Sequence, residues 1–315
     1  MAVSNLDRFE RTTIRFTYRT KTIELELTSH LTCIANDSGK GKTCFLQRLL
    51  DNVLVNDILL ESEYPVEIVD LNTIHLALNQ EDRRIIIIDE ANVLNSKANI
   101  IKQVNSSKHL FVCVSRGEVG SLSYPLQGIY DLQIDGDWFT VQKNTKLNVD
   151  SVICDNVIVE SSKNRSEYCI LEPYFTNIVP ACGKNNISKL INPEIECSVF
   201  IDLGNIGTAY SGLNSIASKK IHFYDYQAFE QLLSEFLGIT DIKNFDYQSN
   251  ERCLESIVTQ QTKGTPLQYQ HGSKLKDAWN KLGITLFNTK VGKHLYDYLC
   301  KKLNKDSMPA KINLF

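Results

Sequence analysis

Asn36-Asp37-Ser38-Gly39-Lys40-Gly41-Lys42-Thr43 and the later run Ile85-Ile86-Ile87-Ile88-Asp89-Glu90 are the two stretches whose reading decides the fold of this 315-residue chain. A glycine-rich turn lets successive backbone N–H groups converge on an anion, and a helix opening at Lys42 adds the positive end of its dipole. The flanks fit that geometry. Leu31 to Ala35 reads as a strand, and Phe45, Leu46, Leu49, Leu50 and Val53 recur at helical spacing behind the turn. Four consecutive isoleucines read as a central strand of a parallel sheet, buried on both faces. The acidic pair at its tip lies where ligands bind in open α/β sheets, just beyond the carboxyl edge.

Together these features predict a nucleotide site. Asn36, Asp37, Ser38, Gly39, Lys40, Gly41, Lys42, Thr43 and Cys44 would form the phosphate-binding loop, with Lys42 neutralising the β- and γ-phosphates of ATP. Thr43 and Asp89 would hold Mg²⁺, and Glu90 would polarise the attacking water, so Lys42 and Glu90 are the catalytic candidates. Asn36 stands at the first glycine of the usual G-x-x-x-x-G-K-[ST] pattern, a position where asparagine's access to left-handed backbone makes it a workable substitute. A further strand, Leu110 to Val114, ends in Ser115-Arg116. Ser115 is a candidate γ-phosphate sensor, or else a strand-end cap.

Composition bounds the rest. The net charge of −3 and a pI near 6.1 announce no global basic field, so nucleic acid would have to be met by local patches. Nine cysteines without a C-x-x-C pair fit reduced thiols in a cytoplasmic protein better than a disulfide framework or a zinc site. No apolar run approaches the length of a membrane span, and the N-terminus carries no leader-like apolar core, so no membrane partner is expected.

Along the first half, Thr13 to Tyr18 and Thr22 to Leu27 alternate as a hairpin before the loop. A short strand at Val66 to Val69, a polar helix around Asn99 to Val104, and a closing hairpin of Tyr130 to Ile134 with Trp138 to Gln142 complete a βα order. The hairpin followed by Leu-Thr-Cys-Ile-Ala-Asn-Asp-Ser-Gly-Lys-Gly-Lys-Thr resembles P-loop ATPase heads of the ASCE/ABC-like kind. Only 45 residues separate Thr43 from Asp89, with no L-S-G-G-Q-like segment, which is too short for the helical lobe of a true ABC ATPase. The compact P-loop core therefore covers about residues 12 to 145, within a domain of residues 1–146.

The second half begins after the polar stretch Lys143-Asn144-Thr145-Lys146. Val157-Ile158-Val159-Glu160 reads as a strand ending in a carboxylate. Asn177-Ile178-Val179-Pro180-Ala181-Cys182-Gly183-Lys184 is a strand running into a glycine turn, with Ile187, Leu190 and Ile191 as a helical face. Ser198-Val199-Phe200-Ile201-Asp202-Leu203-Gly204-Asn205 is a third strand closing on an acid. This order is similar to the Toprim fold of topoisomerases, primases and overcoming-lysogenisation-defect-type nucleases. The resemblance implies Mg²⁺ bound by Glu160 and Asp202, with Glu230 as a third ligand. It departs from the family pattern at Asp202-Leu203-Gly204, in place of Asp-x-Asp, and at Glu160-Ser161. Glu230 has a rival reading as a solvated acid outside a stripe of Phe229, Leu232, Leu233, Phe236 and Leu237.

The expected fold is thus α/β, a P-loop NTPase sheet with an N-terminal β-hairpin plus a second Toprim-like α/β domain (147–240) with a helical C-terminus (241–315). Helices are expected over Asn250 to Thr262, Ser273 to Leu282 and Val291 to Leu303. The lysines Lys274, Lys276, Lys290, Lys293, Lys301, Lys302 and Lys305 make the tail locally basic, as a solvated helix face or, with the interleaved tyrosines, a nucleic-acid contact. The second half also resembles uncharacterised P-loop proteins of Gram-positive mobile elements. These resemblances imply an ATP-regulated nuclease or nuclease-like effector in defence against phage or plasmid DNA. The alternative is a non-nucleolytic, ATP-dependent switch whose second domain binds a partner protein. ATP and Mg²⁺ are the expected cofactors, with DNA, a partner protein and further copies of the chain as candidate partners.

Overall fold

The computed structural model describes residues 12–18, 21–27, 29–35, 41–54, 60–116, 122, 124–135, 138–143, 146–232, 259, 263–264 and 289–304. The chain is α/β and divides into two compact units. One takes in the elements up to Lys143 together with Gly204–Tyr210; the other takes in the elements up to Leu203 that follow, and those from Ser211 onward.

In the first unit, β1 (Thr12–Tyr18) and β2 (Lys21–Leu27) pair antiparallel, and the short β4 (Leu60–Glu61) adds to the free edge of β1. A six-stranded sheet carries the order β5-β6-β7-β3-β8-β9, with β3 at Leu31–Ala35, β5 at Val66–Val69, β6 at Ile85–Ile88, β7 at Leu110–Ser115, β8 at Ile129–Asp135 and β9 at Trp138–Lys143. The first five strands of that order run parallel, and β9 returns antiparallel on the edge. Ile85, Ile86, Ile87 and Ile88 are all fully buried, as a strand covered on both faces requires. Each contributes about 1.5–3 kcal/mol of apolar burial.

Helix α1 (Lys42–Leu54) follows β3. Gly41 sits at φ 78°, a left-handed conformation that glycine adopts without a Cβ penalty, and the Phe45 N–H donates to its carbonyl at 2.8 Å to open the helix. Phe45, Leu46 and Leu49 share the buried face, while Gln47 and Arg48 are exposed. That face meets Ile14, Phe16, Ile23, Leu25 and Leu27 of the hairpin and Ile85, Ile87, Val112 and Val114 of the sheet in one core. Two further helices, α2 (Ile74–Leu78) and α3 (Ala98–Ser106), link β5 to β6 and β6 to β7.

The second unit holds a five-stranded, wholly parallel sheet in the order β10-β14-β13-β11-β12. Its strands are β10 (Val149–Asp150), β11 (Asn156–Val159), β12 (Asn177–Pro180), β13 (Cys197–Phe200) and β14 (Ile221–Tyr224). From β11 the chain moves to one side for β12 and to the other for β13, so the strand order reverses between β11 and β13. Helices α4 (Ser166–Leu171), α5 (Ile187–Leu190) and α6 (Tyr210–Ser215) lie in the connections. Leu190, expected on the buried face of α5, is 43% exposed, because the helix ends at that residue after a single turn and only Ile187 and Ile191 turn inward.

Helix α7 (Lys290–Lys302) is capped by Thr289, whose Oγ1 accepts the Gly292 N–H at 3.0 Å. Val291 and Leu295 enter a core with Val157, Val159, Ile170, Phe200, Tyr224 and Phe229, and Tyr298 and Leu299 pack at its margin. The basic character of this helix is partly paired. Lys302 meets Asp155 at 2.8 Å, and Lys290 meets Asp225 at 3.4 Å. Leu233, Phe236 and Leu237, the helices expected over 250–262 and 273–282, and Lys274, Lys276 and Lys305 fall outside the described residues, apart from isolated positions within 250–264.

Candidate functional site

Two groups of the residues singled out in the sequence occupy carboxyl edges of parallel sheets. In the first unit, Asn36, Asp37, Ser38, Gly39 and Lys40 lie outside the described residues, and the description resumes at Gly41. Lys42 opens α1 and is buried, whereas Thr43 and Cys44 are exposed on the first turn. Ala35 pairs with Ser115 and Ile88 with Cys113, so β7 alone stands between β3 and β6, the strand that Asp89 follows. At about 4.8 Å per strand, β3 and β6 are about 10 Å apart. Ser115 is buried at the tip between them.

Asp89 is half-buried, and its Oδ1 accepts the Glu90 N–H at 2.8 Å. Glu90 takes the left-handed conformation, φ 47°, and its exposed carboxylate meets Arg116 at 3.5 Å. Arg116 directly follows β7, so this ion pair ties the tips of β6 and β7 across the sheet edge. Being exposed, it adds little stability.

In the second unit, Glu160 follows β11 and Asp202 lies two residues beyond β13, at the point where the strand order reverses. The Asp202 N–H donates to Glu160 Oε2 at 3.2 Å, and the Glu160 N–H donates to the Phe200 carbonyl at 2.8 Å. The Gly183 N–H donates to the Glu160 carbonyl at 2.8 Å, which folds the tip of β12 over that of β11. Gly183 does so at φ 125° and ψ 144°, a conformation open essentially to glycine alone. Lys184 follows it and acts electrostatically on Glu160.

Glu230 is 4% exposed, so the reading of it as a solvated acid does not hold: residues 229–232 are helical, but the acid is buried with Phe229 and Leu232 rather than turned to water. It also repels Glu160. A fourth acid joins them that the sequence reading missed. Glu167, on α4, is 4% exposed, and its Oε1 accepts the Tyr226 hydroxyl at 3.0 Å. Burial, reinforced by the Glu160 charge, pushes the Glu167 carboxyl up to about 7. Burial also pushes Glu160 up, against the opposing pull of the Asp202 N–H and of Lys184. Tyr226 is driven well above the usual phenol range, first by burial and then by the charges of Glu167, Asp202 and Glu160. Glu167 and Glu230 thus act electrostatically on Glu160, and Asp202 on the neighbouring Tyr226, but no three of the four carboxyls bring oxygens within 4.8 Å of one another, so an ion shared among them would have to draw the side chains together. The only sequence signal for Glu167 is an acid in the first turn of a short helix, a common place for a solvated one.

No helix among the described residues is long and apolar enough to cross a membrane. No protein-family model matches the chain, and no curated protein matches it.

Proposed function

We propose that the chain is an ATP-binding and ATP-hydrolysing protein whose second unit is a Mg²⁺-dependent nuclease or nuclease-like effector directed at phage or plasmid DNA. One observation carries the reading: Glu160 and Asp202 follow adjacent strands at the carboxyl edge of a parallel sheet, where its strand order reverses, with Glu167 and Glu230 in electrostatic reach of Glu160. That is the position at which open α/β sheets bind ligands. The donor set is all oxygen, which suits a hard divalent cation. Glu160, Asp202 and Glu230 would hold the ion, which supplies charge neutralisation at a phosphodiester. Lys184 would face the same phosphate, and the Tyr226 hydroxyl would hold Glu167 in place.

The strand order of the first unit supports the nucleotide half of the proposal. Lys42 and Thr43 at the start of α1 would meet the phosphates and their Mg²⁺, with Asp89 completing the ion's shell across β7. Glu90 would orient water once Arg116 releases it or shares it with the γ-phosphate. ATP occupancy of the first unit would set the cleavage competence of the second.

One feature favours the switch reading instead, in which the second unit binds a partner protein and cuts nothing. Gly204 stands where the Toprim pattern has its second aspartate, so one metal ligand of that family has no counterpart there. Cleavage of DNA by the purified chain in Mg²⁺ or Mn²⁺, with and without ATP, separates the two. Divalent-dependent cleavage that Asp202→Ala removes supports the nuclease. Tight ATP binding without cleavage under any of these conditions refutes it in favour of the switch.

A further inference from the structure

The opposite, amino-terminal edge of the second unit's sheet carries a different set of donors. Cys154 precedes β11, Glu196 precedes β13, and His222 is the second residue of β14. Parallel pairing of Ser198 with His222 puts these two side chains on one face, and the Ser198 hydroxyl accepts the Cys154 N–H at 2.9 Å, which brings the cysteine to the same place. The Cys154 sulfur, a carboxylate oxygen of Glu196 and a ring nitrogen of His222 all lie within 4.8 Å of one another. Cys197, next along β13, alternates to the other face and is no part of the group.

The orientation of His222 is fixed from behind. Its Nδ1 lies 2.8 Å from Asp150 Oδ2 on β10, with the Asn148 amide 3.1 Å from the same nitrogen. The shorter contact, to a carboxylate, holds the proton on Nδ1, donated to Asp150, in competition with the Asn148 amide nitrogen, which would donate to that atom in the other tautomer. In the neutral ring Nε2 then carries the lone pair; it lies 3.5 Å from Glu196 Oε1, buried and with no hydrogen-bond partner. A carboxylate, a sulfur and an imidazole nitrogen facing one another can share either a proton on Nε2 or a metal cation, and their three-way spacing fits the cation. A tetrahedral zinc ion with bonds of about 2.0–2.3 Å separates its ligand atoms by about 3.3–3.6 Å, the spacing seen between Nε2 and Oε1. The carboxylate behind the histidine is the outer partner that metal-bound imidazoles commonly have.

We propose that Cys154 Sγ, the Glu196 carboxylate and His222 Nε2 form a zinc-class transition-metal site, positioned by Asp150 and distinct from the acidic edge. Sulfur and imidazole ligands select zinc-like ions over Mg²⁺, which the all-oxygen cluster prefers. Binding replaces the Cys154 thiol proton, which leaves to solvent, and keeps His222 neutral. Three protein ligands leave a fourth position for water. Cys154 and Glu196 line a cleft of ≈ 710 Å³, whose wall mixes Asp155 and Asp297 with Lys301 and Lys302, so an ion has a path in.

The test is titration of the nucleotide-free full chain with Co²⁺ as a spectroscopic stand-in for zinc. One equivalent should develop a thiolate-to-cobalt absorption band in the near ultraviolet, which Zn²⁺ should then bleach. Cys154→Ser should remove the band and His222→Gln should weaken binding at least tenfold, while Asp202→Ala and Lys42→Ala should leave both unchanged. No band in the parent, or an undiminished band in Cys154→Ser, overturns the proposal. Should the variants fail to fold, X-ray absorption of the zinc-loaded parent decides. One sulfur neighbour at about 2.3 Å among nitrogen and oxygen ligands supports the site, and none or several refutes it.

Discussion

Glu167→Gln should flatten the fall in stability that the parent chain suffers as pH rises from about 4.5 to about 7. In the folded chain burial and the Glu160 charge hold the Glu167 carboxyl near 7, against an ordinary 4.5. Across that interval the unfolded chain ionises while the folded one keeps its proton. The folded state therefore binds more protons, and its stability declines with rising pH. The contribution is fully present below about 4.5 and lost above about 7. Each pH unit is worth about 1.4 kcal/mol, so the interval corresponds to about 3 kcal/mol.

Glutamine has nearly the same shape and keeps an oxygen to accept the Tyr226 hydroxyl, but it has no charge to desolvate. Urea unfolding followed by circular dichroism at about pH 5 and about pH 8 would give the two slopes. The variant should gain about 2.5 kcal/mol relative to the parent between the lower and the higher pH, because the lower pH already lies about half a unit into the interval. Using the change between the two pH values cancels any fixed cost of fitting the amide. Mg²⁺ should narrow the gap at the higher pH, because an ion held by the neighbouring carboxylates stabilises their charged forms. Parallel slopes for parent and variant would refute the placement of Glu167 in a desolvated acidic cluster.

Gly183→Ala should cost about 1–3 kcal/mol, since its backbone lies where a Cβ is strained, and should weaken Mg²⁺-induced stabilisation by loosening the turn that brings Lys184 to Glu160; thermal melts with and without Mg²⁺ check both. Leu295→Ala empties a fully buried position between α7 and the second sheet and should cost about 2–5 kcal/mol, read by urea unfolding. Lys42→Ala should lower ATP affinity by about 2–5 kcal/mol, a fall of thirty-fold or more in equilibrium dialysis, and unchanged affinity would reject the nucleotide site.

Strongly patterned segments were legible in the sequence. The alternating hairpin, the isoleucine strand, β7, β11 and β13 all announce themselves through period-two or continuous apolar runs, because burial on one or two faces leaves no other composition. Elements defined by contact rather than by pattern were not. The two-residue strand β10 is too short to show a period, and α4 is held by the core against which it packs. Glu167 follows from that, since a sequence does not reveal that an acid on a short helix is buried. Leu190 errs the other way, as an apolar residue at the right spacing whose helix ends before it can be covered. Cys154, Glu196 and His222 belong to three different segments, and only the alignment of strand starts in a parallel sheet brings them together. Cysteine spacing, which led away from zinc, has no bearing on a site assembled that way.

The edges of the second sheet bear on how copies of this chain can meet. Among the described residues β10 is two residues long, and β12 is four residues long with Pro180 as its last, a residue that has no N–H to offer. Neither border presents the long, regular row of donors and acceptors that a foreign strand needs as a template. The sheet is therefore blunted against growth by strand addition, the route that leads from a folded domain to filaments and aggregates. Were copies of this unit to associate, helices and loops rather than strand edges would have to make the contact.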